Sequence, residues 1–379
     1  MPNHAVVAHG GGPTAVINAS LAGLIEEYRR RGAALYGARY GLAGLLRGDL
    51  IDLLAVAPDL VQRLSETPGS ALGSSRLPLS EDGYAALLDV FRRADIHTFF
   101  YTGGNGSMDT ALHLARYAHG AHYDLQVIGI PKTIDNDLRV THHTPGYAST
   151  ARFFACAARD VGADNRSLPS PICVLETLGR NAGWIAAATC LARRDPDDAP
   201  HLIYLPERRM SLDRMASDIE RVLARLGRVV IAVCEGQVDE NGQPFGADVD
   251  RAEIAAHRLA SNLGHTLARL LSAKLGVRAR AEKPGLLGRC CGDFAVPLDR
   301  REAFACGQAA AVAAAEGESA VMVALRQDSS TFLTALDTVA RAERLLPDEW
   351  IHPDGNDVLP AFRDYARPLL GEVSAYARL

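Results

Sequence analysis

Lysine is almost missing from this sequence. Of its 40 basic residues only Lys132, Lys274 and Lys283 are lysines, and arginine takes every other basic position. Where this sequence uses lysine, the choice therefore carries more information than usual. Blocks of like charge are missing too, and the formal net charge is -5. That gives no electrostatic reason to expect nucleic acid or an anionic membrane as partner. There is no C-x-x-C pair and no His/Cys cluster with zinc spacing. The seven cysteines, Cys156, Cys173, Cys190, Cys234, Cys290, Cys291 and Cys306, are scattered. They are expected to be buried, reduced thiols of a cytoplasmic protein. The vicinal Cys290-Cys291 pair has no neighbour that argues for redox work. No run approaches the ~20 apolar residues of a membrane span. Met1-Pro2-Asn3-His4 carries no charged leader or cleavage signature, so a cytoplasmic location is expected. Repeats of 20–50 residues are absent. So are G-x-G-x-x-G and G-x-x-x-x-G-K-[ST], which disfavours a nicotinamide dehydrogenase.

What is present is a globular chain of 379 residues, 48% hydrophobic and 22% charged. At about 150 residues per domain this suggests two domains, with room for a C-terminal segment. Apolar runs alternate with turn residues and helical stretches. Strands are expected at 5–8, 97–101, 126–130, 172–176, 201–205, 229–234 and 320–324. Helices are expected at 16–31, 81–94, 107–120, 147–161, 181–192, 211–226, 252–275, 300–315 and 331–345. Such alternation means an α/β protein with mainly parallel sheets. Thr141-His142-His143-Thr144-Pro145-Gly146 breaks the pattern, and a domain boundary is expected near 140–147.

Ligands of such sheets bind beyond the carboxyl ends of the strands, and three loops there are unusual. Gly10-Gly11-Gly12-Pro13-Thr14 follows the first strand, and its glycines let backbone N–H groups approach a phosphate at a helix start. By itself it is equally a tight turn. Gly103-Gly104-Asn105-Gly106-Ser107 opens another helix, with Ser107 as a candidate cap. Two glycine-rich loops in one domain favour a polyphosphate site. Pro131-Lys132-Thr133-Ile134-Asp135-Asn136-Asp137 follows the strand Val127–Ile130. Two carboxylates one residue apart, with Lys and Thr before them, suit phosphoryl transfer. One Asp holds Mg²⁺, the other accepts the proton of the attacking hydroxyl, and Lys offsets phosphate charge. The bland alternative is a polar turn with Asx-type hydrogen bonds.

These three motifs, in this order and spacing, resemble phosphofructokinase family A, and most of all its diphosphate-dependent subgroup. The resemblance continues through Thr144-Pro145-Gly146-Tyr147, Glu176-Thr177-Leu178-Gly179-Arg180-Asn181-Ala182-Gly183-Trp184, Glu235-Gly236 and Gly288-Arg289, and spans roughly residues 5–325. It implies two Rossmann-like three-layer domains with the active site in the cleft between them. It implies Asp135 as the base, Asp137 with Asn105 at Mg²⁺, and Thr133 beside the acceptor and the transferred group. Gly11, Gly104, Asn105, Gly106 and Ser107 would hold the donor, with Arg76 on its phosphate. Lys132 and Arg180 would neutralise charge at the transferring phosphoryl. Leu178, Gly179, Glu235, Arg280 and Arg289 would line the acceptor, Glu235 receiving sugar hydroxyls.

The chain departs from the family's pattern in two places. Diphosphate users carry Asp at the position of Gly106 and Lys at that of Lys132, whereas common ATP users carry Gly at both. Here the signature is mixed, so diphosphate or ATP is the expected donor. The grip on the 6-phosphate of fructose 6-phosphate is weaker. Nine residues before Arg180, where the family has arginine, stands Pro171. Three residues before Arg289, where it has His or Tyr, stands Leu286. Charge-assisted contacts are worth ~1.5–3 kcal/mol each. Either an arginine such as Arg166 compensates, or the acceptor is an unphosphorylated sugar, polyol or cyclitol.

The resemblance thus predicts a Mg²⁺-dependent phosphotransferase, fructose 6-phosphate being the first acceptor. A catalytically silent regulatory subunit is the alternative from another class, and the intact Thr133–Asp137 motif argues against it. Residues 1–146 with about 288–325 would form the donor domain, 147–287 the acceptor domain, and 326–379 a C-terminal helical extension. A homodimer or homotetramer is expected. His142 and His143 are expected in solvated loop, and Trp184 in a core.

Overall fold

A computed structural model describes residues 4–168, 171–245, 262–340 and 342–377. The chain divides into two compact units. Met1–Tyr147 joins Cys290–Arg344 in the first, and Ala148–Arg289 joins Leu345–Leu379 in the second. The chain first passes from one unit to the other after Tyr147. Of the expected C-terminal segment, residues up to Arg344 lie in the first unit and Leu345 onwards in the second.

The first unit is built on seven strands: β1 His4–His9, β2 Leu35–Ala38, β3 Leu50–Asp52, β4 Ile96–Gly103, β5 Gln126–Pro131, β10 Val321–Leu325 and β11 Thr331–Ala335. Their order is β11-β10-β5-β4-β1-β2-β3. The five central strands are parallel, and β3 and β11 close the edges antiparallel. Both faces of the central strands are apolar, so alternate residues feed two cores. Val6, Ala8, Phe99, Tyr101 and Val127 enter one; Ala5, Val7, Phe100, Ile128 and Ile130 enter the other. A parallel sheet covered on both sides requires this. From β1 the chain moves to β2 on one side and later returns to β4 on the other. The strand order therefore reverses between β1 and β4, where open α/β sheets bind ligands.

The second unit has a parallel four-stranded sheet, β7-β8-β6-β9. Its strands are β6 Ile172–Thr177, β7 Leu202–Tyr204, β8 Val229–Cys234 and β9 Ala279–Glu282. Val174, Ile231 and Val233 pack against Met215 and Ile219 of the helix Leu212–Leu226 and Leu267 and Leu271 of the helix Leu263–Leu275. Ser211 caps the first of these helices through Arg214 N, and left-handed Gly227 ends it. Trp184 is buried as expected, within an aromatic group with Trp350, Phe362 and Tyr365.

Several elements differ from expectation. Residues 331–345 were expected to be helical. Thr331–Ala335 is instead strand β11, followed by a short helix, Leu336–Val339. The cause is local. Asp328 and Ser330 form a polar turn, and the Thr-Phe-Leu-Thr run after it folds back on β10 with Leu325 opposite Thr331. Of the helix expected over 252–275, Leu263–Leu275 is present and 252–261 lie outside the described residues. The stretch 181–192 is a short helix, Trp184–Ala188, continued as 3₁₀ through Ala192. Ser107 is no cap either. Gly104 occupies that position, and Ser107 lies in the first turn of the helix Asn105–Gly120.

Candidate active site

The two glycine-rich loops follow β1 and β4 and so flank the strand-order reversal. They meet around Ser107. A Cβ on Gly10 or on Gly103 would collide with its Oγ, so both positions require glycine. A third segment, Ser70–Arg76, is tied to them. Gly11 N donates to Ser75 O at 3.0 Å, and Ser74 Oγ donates to Gly11 O at 2.7 Å. This holds Arg76 beside the first glycine loop. His9 supports the segment from below. Ser70 Oγ donates to Gly73 O at 2.7 Å, so its contact of 2.7 Å with His9 Nδ1 must be donated by the imidazole. That leaves His9 Nε2 bare and buried without a partner. Burial, helped by the charge of Lys132, lowers the His9 pKa to about 3, and the ring is neutral.

Lys132 leaves the end of β5 and is buried. Its ammonium donates to the carbonyl oxygens of Gly10 and Gly12, each at 2.7 Å. The compact cation thus ties the third motif to the first. In the run Pro131–Leu138 every residue is buried except Asp135, which is partly accessible. Thr133 Oγ1 accepts from Asp135 N at 3.1 Å. Asn136 sits in the left-handed region with φ 56°, and its side chain accepts from Thr144 N at 3.1 Å. A carboxylate that water and substrate can reach, on a turn otherwise sealed, has the setting of a general base.

Asp137 faces Asn105 across the second glycine loop. Asn105 Nδ2 donates to Asp137 Oδ2 at 2.8 Å. Asp137 Oδ1 and Asn105 Oδ1 are both buried without a hydrogen-bond partner. Burial raises the carboxyl pKa of Asp137, and the charge of Glu343 pushes the same way. Two orphaned oxygens on a desolvated pair suit a hard cation. Among the described residues no group of three or more His, Cys, Asp or Glu side chains could hold a metal ion. Mg²⁺ uses one or two protein oxygens and completes its shell with water and substrate phosphate.

In the second unit, β6 and β8 are neighbours with Thr177 opposite Cys234. The turn Leu178–Arg180 and Glu235 therefore leave adjacent strand ends. Gly179 has φ 136° and Arg180 φ 52°. A Cβ on Gly179 would lie 2.6 Å from Ala182 O. Arg180 N donates to Glu235 Oε1 at 3.3 Å, and Cys234 Sγ lies 3.4 Å from Arg180 O. Glu235 is desolvated, which raises its pKa. Beside it Glu176 accepts from Gly264 N at 2.7 Å and pairs with Lys283 at 2.9 Å. Arg280 lies on β9 opposite Cys173, 3.9 Å from Asp164. Arg289 ends a short helix, Leu286–Arg289.

A phosphofructokinase family model matches residues 4–314. The chain belongs to the phosphofructokinase family. As a phosphofructokinase-family member it is a phosphotransferase that acts on a sugar hydroxyl. It is 38% identical over 379 residues to pyrophosphate–fructose 6-phosphate 1-phosphotransferase of Rhodospirillum rubrum, covering 97% of this chain and 94% of that protein. It is 32% identical over 355 residues to sulfofructose kinase of Alkalicoccus urumqiensis, with 91% of each covered. Among solved structures, the pyrophosphate-dependent phosphofructokinase from Nitrosospira multiformis superposes with a TM-score of 0.89 at 32% identity, covering 100% of this chain and 94% of that one.

At the positions where this phosphofructokinase-family chain departs from the pattern, Pro171 is part of the sheet frame, its carbonyl accepting from Val229 N at 2.7 Å. Leu286 is 67% exposed. Arg166 pairs with Asp198 at 3.3 Å. Several structural partners of the site carried no sequence signal. His9, Ser70 and Ser74 each act on a loop some sixty residues away. His143 is buried against Glu302 at 2.7 Å, where solvated loop was expected, and contacts His142. A half-buried glutamate, Glu207, accepts from Gly183 N at 2.9 Å and holds the start of the Trp184 helix. The five cysteines outside the vicinal pair are buried, and none of the seven is in a disulfide. No helix among the described residues is long and apolar enough to cross a membrane.

Proposed function

We propose that the protein transfers a phosphoryl group from diphosphate to the 1-hydroxyl of fructose 6-phosphate, giving fructose 1,6-bisphosphate and phosphate. The observation that carries this is the Lys132–Asp137 segment. It presents one accessible carboxylate, at Asp135, beside two glycine-rich loops, the first of which Lys132 ties to this segment. The names and identities of the relatives support diphosphate as donor and fructose 6-phosphate as acceptor.

Each residue has a part in this reaction. Asp135 takes the proton of the acceptor hydroxyl as its oxygen attacks the terminal phosphorus. Thr133 lines the path of the transferred group. Gly11, Gly104, Gly106 and Ser107 let the donor oxygens approach backbone N–H groups at the start of the helix Asn105–Gly120. Arg76 and Arg180 offer forks to phosphate oxygens. Lys132 acts mainly by fixing the first glycine loop. Glu235 accepts from sugar hydroxyls, with Leu178, Gly179, Arg280 and Arg289 forming the rest of the acceptor side. Asp137 and Asn105 would hold Mg²⁺, which when bound supplies charge neutralisation on the donor phosphates.

A second reading of the acceptor has its own support. Pro171 and Leu286 place no cation where the family grips a 6-phosphate, and Arg166 is engaged by Asp198. One relative is a sulfofructose kinase. An acceptor whose C6 substituent is not a phosphate fits these facts. The deciding assay crosses diphosphate and ATP with fructose 6-phosphate, sulfofructose and free sugars, polyols and cyclitols in Mg²⁺. Turnover of fructose 6-phosphate with diphosphate supports the first reading. Turnover restricted to the other acceptors sinks it. An Asp135→Asn variant should fold normally and lose ~10²–10⁴-fold in rate, the usual worth of a positioned base. Undiminished activity would remove Asp135 from the mechanism. A homodimer or homotetramer in the cytoplasm is the assembly the family resemblance supports, and light scattering tests its size.

A further inference from the structure

We propose that Arg344 is a positioning residue for the catalytic loop, acting on its backbone from outside the segment matched to the family. It rests on the roles given above to Asp135 and Asp137. The family match ends at residue 314, and nothing in the sequence near Arg344 marks it.

The guanidinium meets three loop carbonyls. Nε and Nη2 donate to Asn136 O at 3.1 and 2.9 Å. Nη1 donates to Thr141 O at 2.7 Å and to His142 O at 2.6 Å. The backbone N of Arg344 also donates to Asp137 O at 2.7 Å. Glu343 extends this contact by an antiparallel bridge to Leu138. Arg344 thus bonds the residue between the two aspartates, the second aspartate itself, and the far end of the loop.

The loop needs such a holder. Between Thr133 and Thr144 it has no helix or strand of its own. It contains two non-glycine residues in the left-handed region, Asn136 at φ 56° and β-branched Val140 at φ 72°. Sparsely populated backbone of this kind is strained and persists only where neighbours fix it. A planar fork with five donors can span carbonyls that point different ways, whereas an ammonium cannot. In a trans peptide the N–H opposes the C=O, so turning the Asn136 carbonyl to Arg344 also sets the Asp137 N–H. The arm 342–344 thereby sets the backbone that carries Asp135 and Asp137.

The test uses the full-length chain with Arg344→Ala and Arg344→Lys. Four quantities are measured: kcat and KM for donor and acceptor, binding of Mn²⁺ as a Mg²⁺ probe in the absence of turnover, hydrogen exchange across 133–144, and rescue by added guanidinium. Arg344→Ala is expected to lose ~100-fold in kcat, the scale set by ångström-level misplacement, with KM changed far less. Exchange should quicken in 133–144 ahead of the two sheets, Mn²⁺ binding should weaken, and guanidinium should restore part of kcat. Arg344→Lys should recover little, since it keeps the charge and loses the fork. A rate loss that only follows the unfolded fraction, with exchange quickened uniformly and no rescue, overturns the proposal. So does unaltered exchange in 133–144 with kcat preserved. If the unmodified protein transfers no phosphoryl group at all, the functional reading fails, while exchange and Mn²⁺ binding still decide whether Arg344 orders the loop.

Discussion

The ammonium of Lys132 donates a hydrogen bond of 2.7 Å to the carbonyl oxygen of Gly10, 122 residues away in the chain. A second, to Gly12 O, is equally short. Replacing Lys132 with Met keeps the length and apolar stem but leaves two loop carbonyls without this donor. Charge-assisted hydrogen bonds are worth ~1.5–3 kcal/mol each, and relief of ammonium burial returns part of that. A net loss of about 2–4 kcal/mol in urea unfolding is expected, together with a raised KM for the phosphoryl donor. Lys132→Arg should not restore it. A Cβ at Gly11 would already lie 3.4 Å from Nζ, which leaves little space for a wider head group. Unchanged stability and KM in Lys132→Met would show that the contacts do not hold the loop.

Donor choice can be probed at one position. A Cβ built on Gly106 meets no atom within 4 Å, and the residue lies in the first turn of a helix. An Asp there is sterically free and favoured by the positive end of the helix dipole. Gly106→Asp should therefore fold as well as the parent. Any turnover with ATP should fall steeply, because the new side chain occupies space open to a nucleotide, while diphosphate turnover survives. Equal loss with both donors would show that Gly106 does not separate them. Steady-state assays with each donor, beside a thermal melt, make the comparison.

Acid should weaken the fold through its buried histidines. The folded pKa of His9 is about 3, against the ordinary 6.5. Between these values the unfolded chain binds a proton that the folded chain refuses. Stability therefore rises with pH across that window and is lost as pH falls below 6.5, by up to ~1.4 kcal/mol per pH unit for this group. His201 and His142, both lowered to about 4, act in the same direction. Urea midpoints measured from pH 7.5 down to pH 5 should decline. His9→Asn keeps a donor for Ser70 but cannot titrate, so its decline should be shallower. Equal slopes in both proteins would clear His9.

Much of the candidate site was legible because it is local in sequence. β1, β4 and β5 are continuous apolar runs, and the glycine-rich and Asp-containing loops follow them directly. The rest depends on long-range partners or short edges. β2 and β3 are brief, and β9 mixes Arg280 and Glu282 into a sheet edge, so neither periodicity signals a strand. Thr331–Ala335 has strand composition, but its pairing with β10 needs the turn before it. Arg344 is one arginine among many. Its partners lie 202 to 208 residues earlier, and no local pattern announces that distance. The Ser70 contact of His9 spans 61 residues in the same way. The acceptor departures at Pro171 and Leu286 were visible as letters, yet their surroundings were not: one is built into the sheet frame and the other projects outward.

The aromatic group around Trp184 has a spectroscopic consequence. The chain has two tryptophans, and their rings stand 6.0 Å apart edge to face in the second unit. Emission excited selectively in indole thus originates wholly in that unit, and the seven-stranded sheet with its glycine-rich loops is dark to it. A denaturation curve recorded by tryptophan emission follows one unit, and its coincidence with far-ultraviolet dichroism, or its failure to coincide, reports whether the two units come apart together or in succession.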